Sequence, residues 1–218
     1  MFHGWSKGFP PSVQVCPVQL PGRENRLMEA PFTRLSLLVQ KLSQVLVHLM
    51  DVPYAFFGHS MGGLISFELI RELRRQQRHL PAHYFVSGNR APQLASRTTP
   101  LHQLPGPLFV KEVVRRYNGI PAVVLQSEEL TKIFLPVLKA DVELIETYAY
   151  TAEEPLNCPI TAFGGLQDSQ VSQDELAAWR DQTHGAFTFR MFPGDHFYLN
   201  EARETLLRAI SLELTSKL

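Results

Sequence analysis

The spacing of apolar residues changes several times along this chain, and each change predicts an element. Residues 13–20, "VQVCPVQL", alternate apolar and polar as a half-buried strand does. Residues 33–50, "TRLSLLVQKLSQVLVHLM", place apolar side chains three and four apart, which predicts a helix. The run "YAFFG" at 54–58 is short, aromatic and unbroken, as suits a parallel strand covered on both faces. "GGLISFELIRELRRQQ" (62–77) predicts a helix whose basic end complements its dipole, and "HYFVSG" (83–88) a second buried strand. Further on come "CPITAFGG" (158–165, strand), "SQDELAAWRDQT" (172–183, a helix capped by Ser172), "FTFRMF" (187–192, strand) and "EARETLLRAISLEL" (201–214, helix). Strand and helix alternate, so the pattern predicts an α/β fold with a mainly parallel sheet flanked by helices.

Residues 94–151 break that alternation. "GPLFVKEVVRRYNG" (106–119) and "SEELTKIFLPVLKADVELIETY" (127–148) read as helices inserted between two core strands. The expected division is a core of 1–93 and 152–218 with a helical insertion at 94–151, placed where a lid over the C-terminal edge of the sheet belongs. Ordinary crossover packing is the plainer alternative.

Composition narrows the partners. A chain of 218 residues with 44% hydrophobic and 19% charged residues buries a substantial single core. Lys+Arg and Asp+Glu are equal at 21 each, which removes the electrostatic case for nucleic acid or an anionic membrane and leaves small molecules and proteins. There is no membrane-length apolar run and no signal-like start, so the cytoplasm is the expected location. Cys16 and Cys158 are expected to be reduced, buried thiols, and no Cys or His spacing suits a metal.

The candidate chemistry begins at "YAFFGHSMGGL" (54–64). A G-x-S-x-G pattern arises by chance in roughly 5–10% of chains this long, so the spacing alone is weak. Here Gly58, Ser60 and Gly62 stand between a predicted strand and a predicted helix, the context of a nucleophile elbow whose tight turn lifts the hydroxyl above the sheet. A serine needs a base and the base an orienting acid, in the order Ser, acid, His for such an elbow. Of eight histidines only His196, in "FPGDHFYL", follows the last predicted strand directly. Asp168, in "FGGLQDSQVS", occupies the loop one strand earlier; Asp195 is a rival too close in sequence to orient its neighbour, and Asp174 and Asp181 fall on a helix. The backbone N–H of Met61, opening the elbow helix, is the expected oxyanion donor.

These residues resemble the type II thioesterases of nonribosomal peptide and polyketide assembly lines. The resemblance runs through "VQLPGRENR", "FFGHSMGG", "LPVLKADVELIETY", "CPITAFGGLQD", "AAWRDQT" and "FPGDHFYL", and the "PVLKAD" stretch separates that family from general esterases. It implies an α/β-hydrolase core with a helical lid, a triad of Ser60, Asp168 and His196, and hydrolysis of acyl groups from phosphopantetheine arms of carrier proteins. It also implies no metal or organic cofactor, and action as a separate protein makes a monomer the default.

One departure bears on mechanism. Family members carry a further N-terminal strand and a glycine-containing loop of the form "FPYAGG" before a segment like "FHGWSKGFP", and this sequence starts inside that segment. The absent loop is the expected source of a second oxyanion donor, and a start codon placed too late is the expected cause, ahead of a true fragment or a naturally decayed protein. "FHG" at 2–4 does not follow a strand, so it is read as the start of the first helix rather than a His-Gly oxyanion motif. Two weaker candidates are "LPGRENR" (20–26) as a substrate or carrier rim and "IRELRRQQRHL" (70–80) as a docking patch for an acidic carrier. The competing functions are a small-molecule carboxylesterase and a non-catalytic protein that binds acyl carriers.

Overall fold

The four expected core strands form as strands, and the runs with helical period form helices, except that the helix expected over 172–183 is α-helical only over Gln173–Ala177 and continues as a 3₁₀ turn, Ala178–Gln182. The structure, a computed structural model, describes residues 2–95, 99–117 and 126–215. Among the described residues the sheet has four strands, β1 (Ala55–His59), β2 (His83–Ser87), β3 (Ile160–Gly165) and β4 (Phe187–Phe192). They lie in that order and all run parallel, with His59 opposite Ser87 at the C-terminal edge. The helices are α1 (Leu35–Leu46), α2 (Met61–Arg75), α3 (Gly106–Tyr117), α4 (Glu128–Glu146), α5 (Gln173–Ala177) and α6 (Arg203–Thr215). Residues 118–119, which close the run expected to form α3, lie outside the described residues.

Three expectations are corrected. The segment 13–20 is not a strand. Its alternation does turn Val13 and Val15 inward, but Pro17 has no N–H to donate and no strand among the described residues pairs with it. The second correction is Cys16, expected to be a buried thiol, which lies on the outward side and is exposed, whereas Cys158 is buried. The third concerns β1, which is half-buried over Ala55–Phe57 rather than covered on both faces. It is an edge of the four-stranded sheet, while β2 and β3 are interior and buried at every position.

The chain divides into two compact units, the first comprising Met1–Val18, Leu42–Leu94 and Ala152–Leu218, the second Gln19–Lys41 and Ala95–Thr151. In the first, one face of the sheet packs Phe85, Phe163 and Phe192 against Tyr198, Leu206 and Ile210. On the other, Trp179 meets Phe67 and Tyr84 edge-on. The N-terminal "FHGW" contributes Trp5, buried against Phe2 and Phe57, and opens a short 3₁₀ turn, Trp5–Gly8; His3 is exposed. Ser172 caps α5 in a full capping box with Glu175, as its position predicts.

The basic end of α2 is neither a free patch nor simply solvated. Arg71 is buried between Glu68 and Glu153, Arg74 pairs with Glu153 and donates to the carbonyl of Glu154, and Arg75 pairs with Glu72. Charges satisfied within the fold leave little for an acidic partner to recognise.

In the second unit α3 and α4 share a core of Leu101, Phe109, Val113 and Val142. "LPGRENR" is tied into this unit: Arg23 forms an ion pair with Asp141 of α4, and Arg26 donates to the carbonyl of Gln19. Burial pushes the Asp141 carboxyl up, and the hydrogen bond from Arg23 opposes that shift. Two separate sequence blocks, "VQLPGRENR" and "PVLKAD", thus meet at this ion pair and where Gly22 packs against Val137.

Candidate active site

Ser60 sits between the last residue of β1 and the first of α2, with φ 52° and ψ −122°. For a residue with a Cβ this is a strained backbone, maintained by the surrounding structure. The Ser60 N–H donates to the Ser87 carbonyl at 2.8 Å, and its own carbonyl accepts from Gly63 N–H at 2.8 Å and from Asn89 Nδ2 at 2.9 Å. Gly58 is what lets the chain fold back here, because a Cβ at this position would stand 2.2 Å from the Gly62 carbonyl oxygen. Gly62 itself is not crowded, since a Cβ there meets nothing within 4 Å. The tight second glycine is Gly63, whose Cβ would lie 3.1 Å from Val86 and from Asn89.

Strand β3 ends beside the loop that carries Asp168, and β4 ends beside the loop that carries His196. Parallel strands deliver both loops to the same sheet edge as Ser60. There His196 Nε2 lies 3.0 Å from Ser60 Oγ, and His196 Nδ1 lies 2.8 Å from Asp168 Oδ2. The Asp168 side chain is fully buried and that of His196 is 7% exposed, so little water competes for these bonds. The two oxygens of Asp168 divide the work. Oδ2 meets the imidazole, while Oδ1 accepts the N–H groups of Gln170 and Val171 and so holds its own loop. Asp195 instead accepts the N–H of Phe197, Asp174 lies in α5, and Asp181 lies in the 3₁₀ turn after it.

The Met61 N–H heads α2, where helix geometry leaves amides without an acceptor inside the helix and the dipole favours negative charge. A hydroxyl within reach of an imidazole, the imidazole fixed by a carboxylate, and an amide beside the hydroxyl can together perform acyl transfer.

The sequence reading did not single out the residues beneath this constellation. His59, immediately before Ser60, is buried with Nδ1 2.9 Å from Ser87 Oγ, and Ser87 Oγ is 2.6 Å from the Tyr198 hydroxyl. Burial, with the neighbouring His196 adding to it, pushes the His59 imidazole down to about 3, so it is neutral at physiological pH. Burial also raises Tyr198, which keeps its proton. Asn89 was missed as well, for nothing in the "SGNR" turn marks it as a brace for the Ser60 carbonyl.

Comparison with known proteins gives the family. The family model described as "Thioesterase domain" matches residues 1–214. The gramicidin S biosynthesis protein GrsT of Aneurinibacillus migulanus is 45% identical over 213 residues, covering 98% of this chain and 83% of that protein. Among solved structures, the RedJ thioesterase of the prodiginine pathway in Streptomyces coelicolor superposes with a TM-score of 0.89 at 38% identity, covering 97% of this chain and 84% of that one. The type II thioesterase BorB of the borrelidin cluster gives 0.86 at 35% identity, covering 98% and 86%. The chain belongs to the thioesterase domain family, with an α/β-hydrolase-like fold, and its relatives are type II thioesterases of nonribosomal peptide and polyketide pathways.

Proposed function

We propose that Ser60, His196 and Asp168 form a catalytic triad that hydrolyses acyl thioesters from the phosphopantetheine arm of carrier proteins. The observation that carries this reading is the pair of contacts at His196, 3.0 Å to the hydroxyl and 2.8 Å to the carboxylate, at a strained strand-to-helix turn. His196 Nε2 takes the Ser60 proton as Oγ attacks the thioester carbonyl carbon, and Asp168 holds the tautomer and stabilises the imidazolium. The tetrahedral oxyanion is met by the Met61 N–H, with Gly58 and Gly62 framing the elbow. The C–S bond then breaks, and the carrier thiol leaves with the proton from His196. Water, deprotonated by the same imidazole, attacks the acyl-serine; the acid departs and Ser60 recovers its proton. The segment 94–151 is proposed as the lid that selects the acyl group, and a cytoplasmic monomer as the working form.

The relatives do not favour a general carboxylesterase or a non-catalytic binder. The test compares kcat/KM on an acetyl-loaded carrier domain with that on p-nitrophenyl acetate. The proposal expects the carrier to be the better substrate and both reactions to vanish in Ser60→Ala. Equal or greater efficiency on the simple ester would overturn the choice of substrate.

A further inference from the structure

Hydrogen bonds join the residue before the nucleophile to the residue two positions after the base. His59 ends β1, its register partner Ser87 ends β2, and Tyr198 follows His196 in the loop after β4. The contacts His59 Nδ1 to Ser87 Oγ, 2.9 Å, and Ser87 Oγ to Tyr198 Oη, 2.6 Å, therefore cross from the strand that presents Ser60 to the loop that presents His196. All three residues are buried, Ser87 completely. The ring centroids of His59 and His196 are 5.0 Å apart, and Gly88, at φ 53°, leaves room for both. A Cβ at Gly88 would stand 2.7 Å from His59 Cε1 and 3.3 Å from His196 Cε1.

Resting on the triad reading above, we propose that His59, Ser87 and Tyr198 form a buried brace that sets the position of the His196 imidazole relative to Ser60, and are positioning residues for acyl transfer. The geometry supports this in three ways. The chain of bonds closes a ring through the backbone, Ser60 to His59 to Ser87 to Tyr198 to His196, so the Ser60–His196 separation is held on the side away from solvent. Whichever way the hydroxyl protons of Ser87 and Tyr198 point, a neutral His59 imidazole completes the chain of bonds, so the brace needs no charged member. When His196 becomes an imidazolium during attack, the ring beneath it stays neutral and adds no like charge. A displacement of the base by about 1 Å is enough to cost on the order of a hundred-fold in rate, so a brace two bonds away has leverage over turnover without touching substrate.

The test uses the full chain with an acetyl-loaded carrier domain, comparing Ser87→Ala, Tyr198→Phe, the double variant, Ser87→Thr and Ser60→Ala. The brace predicts a fall in kcat of about ten-fold or more in each of Ser87→Ala and Tyr198→Phe with KM little changed. It predicts that the double variant is no slower than the slower single one, because either change breaks the same chain. Ser87→Thr, which keeps the hydroxyl, should recover most of the loss. The proton NMR signal of His196 Nδ1–H should shift in Tyr198→Phe, a variant that keeps the aromatic ring and is checked for wild-type circular dichroism. Wild-type kcat in folded Tyr198→Phe, or losses that multiply in the double variant, would overturn the brace while Ser60→Ala remains inactive. Hydrolysis surviving in Ser60→Ala would instead overturn the triad reading, and the brace with it.

Discussion

At Asp168 one carboxylate serves structure and chemistry through different oxygens, and substitutions can separate the two. Asp168→Asn retains an acceptor for the Gln170 and Val171 amides but cannot hold the imidazole in the right tautomer. It should lower kcat by about 10⁴-fold with a small change in thermal midpoint, measured by steady-state kinetics and calorimetry on one preparation. His59 gives a prediction about pH. Its folded pKa of about 3 lies below the ordinary 6.5, so between these values the unfolded chain binds a proton that the folded chain refuses. The groups facing it are His196, Asp168 and, through Ser87, Tyr198. Stability from this site is therefore full above about pH 6.5 and is lost as pH falls, by about 2 kcal/mol between pH 7 and 5. Urea unfolding at the two pH values should show this loss in the wild type and a correspondingly smaller one in His59→Gln.

Among the elements, the elbow and the caps carry the sharpest contrasts. Gly58→Ala drives a Cβ into the Gly62 backbone and should destabilise the protein by about 2 kcal/mol or more, whereas Gly62→Ala at an open helical position should be neutral or stabilise by up to about 1 kcal/mol. Thermal melts of the two variants side by side distinguish them. Ser172→Ala removes the capping box of α5 and should cost about 1 kcal/mol. The strands β1 to β3 were legible because short, mainly apolar runs between breakers have few other uses, while β4 is a more polar run of strand-forming residues, and the meeting of Ser60, Asp168 and His196 was legible because an α/β sheet places their loops in a fixed order. Residues 13–20 misled because alternation reports which side chains turn inward and says nothing of whether a partner strand lines up beside them. Gly62 misled for a related reason: a motif names residues without saying which one the turn crowds. His59, Ser87 and Tyr198 meet only through strand register, a relation among three distant segments that no local pattern carries.

For the molecule as a whole, the charges balance at 21 against 21 and the arginines of α2 are paired internally, so long-range electrostatics offer little to steer an acidic partner. No helix among the described residues is long and apolar enough to cross a membrane. The second unit gathers Gln19–Lys41 with the inserted helices, a grouping that sequence order hid and that the Arg23–Asp141 pair makes intelligible. The most direct test of the central claim is intact-mass spectrometry of acetyl- and hexanoyl-loaded carrier protein, followed over time with this chain and with its Ser60→Ala variant. The account predicts that the carrier loses its acyl mass and returns to the free-thiol form with the wild type, and stays loaded with Ser60→Ala. Equal persistence of the acyl mass with both proteins would contradict it.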